Sequence, residues 1–189
     1  YDGYTLFTPH TKVSSWIVDK IQDPGSRKTY LIDMEGNIVH TWKHDHPAFY
    51  AELLPNGNLL RAEKIAGSPV NFGGWYGLLR EYAWDGKVVW EYKVSNPRQI
   101  AHHGFDRLPN GNTLITEGSD GRVFEVTKDH ELVWEFISPY WGQKLPMNMV
   151  YRAYRVPYEW VPQLGKQEET PIERTVSYTH LTLPTILLV

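Results

Sequence analysis

IAHHGFDRLPNGNTLITEGSDGRVFEVTKDHELVWEF, from Ile100 to Phe136, decides the fold, because it reads as one complete four-stranded antiparallel sheet. Leu-Pro-Asn-Gly-Asn (Leu108 to Asn112) sets an Asn-Gly pair between two apolar-alternating runs. Both residues of that pair tolerate the positive φ of a tight hairpin turn. Ser119-Asp120-Gly121 turns the chain into RVFEVT, and Lys128 to Glu131 turns it again into LVWEF. Four short strands with short turns follow. His102-His103 stands at the opening of the first of them, the densest potential chemistry in the chain.

The unit repeats, and the repeat predicts a β-propeller. Val123 to Phe136 matches Leu79 to Tyr92 (LREYAWDGKVVWEY) and, more loosely, Tyr30 to Trp42 (YLIDMEGNIVHTW). Aligned on the turn, His40, Trp90 and Trp134 share one column, and Trp42, Tyr92 and Phe136 another. Bulky rings two residues apart fall on one face of a strand, and that face is expected to be buried. The opening half repeats too: Ala51 to Leu60 (AELLPNGNLL) matches Phe105 to Leu114, with Gly57 and Gly111 54 residues apart.

One complete blade, a second nearly complete and two partial ones can be counted, fewer than the four that a closed propeller needs. The 189 residues, which open at Tyr1, are therefore expected to be a piece of a longer protein, about three blades of a partial propeller. A net charge of -3 with both signs scattered offers no basic patch for nucleic acid. No run is long enough to span a membrane. The absence of cysteine excludes disulfides and cysteine-ligated metals within the chain.

Tyr4 to Thr8 reads as a short strand, and Asp23 to Lys28 as a loop. Thr29 to Trp42 is a hairpin turned by Glu35-Gly36-Asn37, and His44, Asp45 and His46 follow. That trio has ligand chemistry, but its spacing is unspecific and no second cluster answers it; a solvated loop is expected instead of a metal site. Ile65 to Gly77 is Gly-rich but lacks the strand-then-helix setting of a phosphate loop, so an inter-strand excursion is expected. Pro139 to Met149 reads as a loop, and Asn148 to Pro157 as the innermost strand of the next blade. Laid on the previous copy by its proline, that strand sets Tyr151 and Arg152 where His103 and Gly104 stood. Gln163 to Arg174 is a polar linker. Residues 175–189 break with the repeat; VSYTHLTLPTILLV resembles translated sequencing-adaptor read-through, so the propeller segment is taken as 1–174.

YDGYTLFTP, TYLIDMEGNIVHTW, AELLPNGNLL, AHHGFDRLPNGNTLI, RVFEVTKDHELVWEF and NMVYRAYRVP together resemble the amino-terminal half of the bacterial arylsulfotransferases, the aryl-sulfate sulfotransferases. The likeness runs from Tyr1 to about Arg174. It implies a six-bladed propeller, exported to the periplasm or secreted, that moves a sulfuryl group from a phenolic sulfate ester to a phenol. No nucleotide donor, cofactor or metal is implied. The partners are the small-molecule aryl sulfate and phenol, and homo-oligomerisation is left open. A histidine nucleophile, assisted by further histidines and an arginine, is implied in a later blade, so this chain alone is expected to be inactive.

The residues present suit such chemistry. Oriented cations and imidazoles are needed where charge develops on the sulfate oxygens and the leaving phenolate. His102 and His103 are the candidate catalytic residues, and Arg152 and Tyr151 the candidate substrate contacts. Adjacent strand residues point to opposite faces, so the two histidines share an aim only if a bulge intervenes; otherwise one is structural. The rival reading is a non-catalytic propeller that serves as a binding or assembly scaffold. DGKVVWEY also resembles quinone-cofactor propeller repeats, but the acidic calcium ligands of those proteins have no counterpart here.

Overall fold

The computed structural model describes residues 1–9, 27–64, 77–93, 102–142 and 148–165; the side chains of Phe49, Lys64, His102, His103 and Ser119 lie outside that description. The chain divides into two units, Tyr1–Tyr154 and Arg155–Val189. The first carries β1 (Thr5–Phe7), β2 (Lys28–Ile32), β3 (Ile38–Lys43), β4 (Ala48–Leu53), β5 (Leu59–Lys64), β6 (Gly77–Tyr82), β7 (Val88–Lys93), β8 (His102–Arg107), β9 (Thr113–Glu117), β10 (Arg122–Val126) and β11 (Leu132–Ile137). The described part of the second holds two 3₁₀ turns, Tyr158–Trp160 and Pro162–Leu164.

Among the described residues, the eleven strands form three sheets in chain order: β1-β2-β3, β4-β5-β6-β7 and β8-β9-β10-β11. Every neighbouring pair is antiparallel. Successive antiparallel meanders of this kind are propeller blades, so the all-β, partial-propeller expectation holds. The sheet read from Ile100 to Phe136 has β8 on one edge and β11 on the other, as its sequence implied.

The hairpin turns share one construction. Leu54 N–H donates to the Asn58 carbonyl at 2.8 Å and Gly57 N–H to the Leu54 carbonyl at 2.9 Å; Leu108, Asn112 and Gly111 repeat this at 2.9 and 2.9 Å. The glycines take φ of +82° and +86°, but their preceding asparagines do not have positive φ. The Asn-Gly expectation is corrected in that respect. This is a turn with proline second and a left-handed glycine fourth, and Asn56 and Asn110 serve instead by accepting the N–H of Asn58 and Asn112, each at 3.0 Å. The outer hairpins repeat the geometry around Gly36, Gly86 and His130, the last holding φ of 68° without being glycine.

The second and third sheets are packed on both faces. Leu59 packs with Leu31, Trp42 and Tyr82 toward the first sheet, while its neighbour Leu60 packs with Trp90, Phe105, Ile115 and Phe124 toward the third. On the far face of the third sheet Leu108, Leu114 and Val123 gather Trp134, Val150 and Ala153. The recurring rings are therefore buried where a following sheet covers them, as at Trp42 and Trp90, but Phe136 remains 42% exposed. The buried-face expectation fails at Phe136.

A second correction concerns Asn148 to Pro157, which forms no strand. A strand needs a ladder partner. Here the backbone instead ties to the blade behind it: Val150 N–H donates to the Gly118 carbonyl at 2.9 Å and Ala153 N–H to Thr116 Oγ1 at 3.2 Å. Asn148, buried, donates from Nδ2 to the Ser138 carbonyl at 3.1 Å and lies against Gly121. The Gly-rich 65–76, the linker beyond residue 165 and the 175–189 tail lie outside the described residues.

Gly57→Ala and Gly111→Ala are expected to cost about 1 kcal/mol each, since only the left-handed φ opposes the new Cβ. Gly121→Ala is expected to cost about 3 kcal/mol, because its Cβ would come within 2.1 Å of the Asn148 carbonyl oxygen. Urea unfolding midpoints of the three variants check that order.

Candidate functional site

β4 and β8 are the first strands of their sheets, and both are interrupted at the same repeat position. In β8, His102 pairs with Glu117 and Gly104 with Thr116, so the register shifts across His103. In β4, Ala48 pairs with Glu63 and Tyr50 with Ala62, so it shifts across Phe49. Such bulges re-aim side chains at sheet edges. The strict backbone alternation of β8 is thus interrupted at His103. The side chains of His102 and His103, and hence their contacts, lie outside the described residues.

Arg152 comes to this place from the segment after the third sheet. Its aliphatic stem crosses Gly104, where an added Cβ would sit 2.8 Å from Arg152 Cγ. Beyond the glycine, Arg152 donates a hydrogen bond to the Tyr50 hydroxyl, with its guanidinium carbon 4.4 Å from the centre of the Tyr50 ring and 4.5 Å from that of Tyr154. The Tyr50 ring rests in turn on Phe105 at 4.9 Å. So the structure brings Arg152 to the residue after His103. Tyr151, by contrast, is 79% exposed.

Carboxylates share the neighbourhood. Burial pushes the Glu52 carboxyl up and nearby Asp106 pushes it further, against the pull of Arg152 and Arg107. Glu52 and Asp106 are 54 residues apart, the same spacing as Gly57 and Gly111, a signal that was present in the sequence. Arg107 is committed elsewhere: it pairs with Glu81 at 2.7 Å and lies 4.8 Å from the Trp90 ring centre.

A second polar cluster has a buried centre, with Arg61 and Glu63 fully covered and Arg80 and Glu91 at its partly exposed rim. Glu63 Oε1 accepts from Arg61 at 2.6 Å and from the Tyr82 hydroxyl at 2.7 Å, and Glu63 Oε2 lies 3.6 Å from Arg80. Arg80 also bonds Glu91 at 2.6 Å. Burial raises the Tyr82 phenol, and Glu63 raises it further. His44 is part of this cluster, its ring 4.6 Å from Tyr82, and neither ring nitrogen has a hydrogen-bond partner. The solvated-loop expectation therefore fails at His44, which is 8% exposed. The His44 backbone N–H donates to the Arg27 carbonyl at 2.9 Å, and the His46 carbonyl accepts from Arg61 at 2.9 Å. Asp45 is exposed. Among the described residues no group of three or more His, Asp or Glu side chains could hold a metal ion. Nor is any described helix long and apolar enough to cross a membrane.

No family model and no curated protein matches the chain. Solved structures that resemble it include a streptogramin B lyase (15% identity, TM-score 0.46, covering 72% of this chain and 46% of that one). Another is BamB from Moraxella catarrhalis (19% identity, TM-score 0.37, 63% and 35%). A third is a protein of unknown function from Bacteroides caccae (16% identity, TM-score 0.41, 61% and 40%). The chain spans less than half the length of each.

Burial, with the charges of Arg61 and Arg80, holds the His44 imidazole at a pKa of about 3, well below its usual 6.5. The unfolded chain takes up that proton near pH 6.5 and the folded one only near 3. The contribution of His44 to stability is therefore fully present above pH 6.5 and is lost as the pH falls from there toward 3, by up to about 1.4 kcal/mol per unit. His44→Leu, which buries no unsatisfied nitrogen, is expected to stay within about 1 kcal/mol of the parent at pH 7 and to flatten that slope. Denaturant titrations at pH 7, 6, 5 and 4 test both.

Proposed function

We propose that the intact protein transfers a sulfuryl group from a phenolic sulfate ester to a phenol, without a nucleotide donor, and works in the periplasm or outside the cell. A neutral imidazole from a part of the protein outside this chain attacks sulfur. The S–O ester bond breaks, its electron pair leaves with the phenolate, and a phenol oxygen later takes the group from the nitrogen while giving up its proton. Two moderate displacements replace one hard one. His102 and His103 bear on a sulfate or leaving-group oxygen, and Arg152, with Tyr151 at the rim, holds the sulfate.

The observation that carries this reading is Arg152 lying across Gly104, immediately after the bulge at His103. Arg152 crosses the strand whose opening residues are His102 and His103, and a cation with imidazoles is the set that a developing oxyanion requires. The exposed rings of Tyr140, Trp141 and Tyr151 favour a second reading, a non-catalytic binding scaffold, because aromatic side chains carry much of the energy at binding surfaces.

Transfer from a chromogenic aryl sulfate to a phenol by the intact protein, with no nucleotide present, separates the two. His102→Ala or His103→Ala is expected to lower the rate about a hundredfold, and His46→Ala to change it little. Full activity in both His102→Ala and His103→Ala removes the pair from the site; no turnover by a well-folded protein across several donors favours the scaffold.

A further inference from the structure

Arg152 is held in an unusual way for a half-buried cation. Among the described residues no carboxylate lies within ion-pair reach of it. It is secured by the Tyr50 hydroxyl and by the Tyr50 and Tyr154 rings. A π-face attracts a cation without neutralising it or occupying its in-plane N–H groups. Arg152 Nε is buried and has no hydrogen-bond partner. A guanidinium fixed in orientation, with no carboxylate in an ion pair with it and only one of its terminal nitrogens bonded to Tyr50, matches the planar recognition of an oxyanion through its terminal N–H groups.

The repeat explains how it gets there. Gly104 occupies in β8 the place that Tyr50 occupies in β4, 54 residues earlier. A tyrosine, or any side chain, at 104 would block the path that Arg152 takes, while the tyrosine at 50 is the group that Arg152 reaches. We infer that Tyr50 and Gly104 are positioning residues for an oxyanion site centred on Arg152, one supplying the anchor and the other the passage. The site takes the tetrahedral oxyanion of a sulfate or phosphate. This deepens, and rests on, the proposal that Arg152 holds the sulfate of an aryl sulfate.

The test is calorimetric titration of the intact protein with sodium sulfate and, separately, sodium phosphate at constant ionic strength. The parent is expected to bind sulfate saturably, and preference between the two anions identifies the source. Tyr50→Phe keeps the ring and is expected to keep the melting temperature, yet to weaken sulfate binding about tenfold, the loss of one charge-assisted hydrogen bond. Gly104→Ala and Arg152→Lys are expected to weaken it at least as much, while Gly111→Ala, in a turn, leaves it unchanged. In the transfer assay Tyr50→Phe is expected to raise KM for the aryl sulfate, and Tyr50→Ala to raise it further. Parent-like sulfate affinity in Tyr50→Phe overturns the inference even where Gly104→Ala does not fold, as does a parent that binds neither anion saturably. Tyr50-dependent sulfate binding in a protein with no transfer activity would sink sulfuryl transfer and leave this inference standing; transfer indifferent to Tyr50→Phe and Gly104→Ala would sink this inference alone.

Discussion

Burial of a sheet on both faces is the constraint from which the rest of the structure follows. A strand such as β9, all five of whose residues are buried, has no solvent side on which to place a polar group, so each polar side chain there needs an internal partner. Glu63 and Glu117 stand at the same repeat position and meet that need differently. Glu63 is answered by Arg61 on its own strand, by Tyr82 and by Arg80. Glu117 is answered by Arg122 at 3.0 Å, directly across the ladder, and Arg122 is itself tied to Glu135 and lies 4.1 Å from the Phe124 ring. Burial raises the Glu117 carboxyl even so, with Arg122 pulling the other way. Such clusters add little net stability but make the loss of one member expensive, because a buried charge is then stranded.

The same constraint governs how blades are joined. Apolar packing alone lets sheets slide, whereas a hydrogen bond from a side chain to a fixed carbonyl sets one position. His40 Nε2 lies 3.0 Å from the Trp84 carbonyl, and Trp90 Nε1 donates to the Lys128 carbonyl at 2.8 Å. His40 and Trp90 are one repeat column, and Trp84 and Lys128 occupy the same place in successive outer turns. Arg107 adds an ion pair across the second joint through Glu81, which also accepts from Asn58 at 2.7 Å. Registration of the sheet of β4 beside that of β8, on which any site at their ends depends, is set by the Trp90 and Arg107 links.

The scaffold was legible in the sequence because its signals are local. A glycine that must take positive φ, a proline ahead of it and an asparagine that closes onto the backbone all act within five residues. The ring columns were legible because a strand has period two, although whether a ring is buried depends on what lies on it, which is why Trp42 and Phe136 differ. Arg61, Glu63 and His44 were illegible for a related reason: polar residues on a buried face look like surface residues to any pattern based on hydrophobicity. The 148–157 segment carries strand-like sequence, but β structure is a pairing property and no ladder forms along it. Tyr50 was overlooked because its partner lies 102 residues away.

Arginine partnerships separate scaffold from site in this molecule. Arg61, Arg80, Arg107 and Arg122 each bond a glutamate; the Arg61 bond lies within β5, and the other three join strands within or between sheets. In each the cation is largely neutralised. Arg152 is bound as firmly by geometry, through one hydroxyl, two rings and a glycine with no side chain to obstruct it, but not by opposite charge. An ion pair would hold it at lower electrostatic cost, and the proposed oxyanion site is the reading in which that cost has a use. Glu52 and Asp106 nearby would limit the proposed site, since their charges would repel an anion on their side of the guanidinium, and the upward push on the Glu52 carboxyl would weaken that repulsion. What distinguishes this strand end from the rest of the sheet ends is therefore the charge left on Arg152, more than the number of polar residues gathered there.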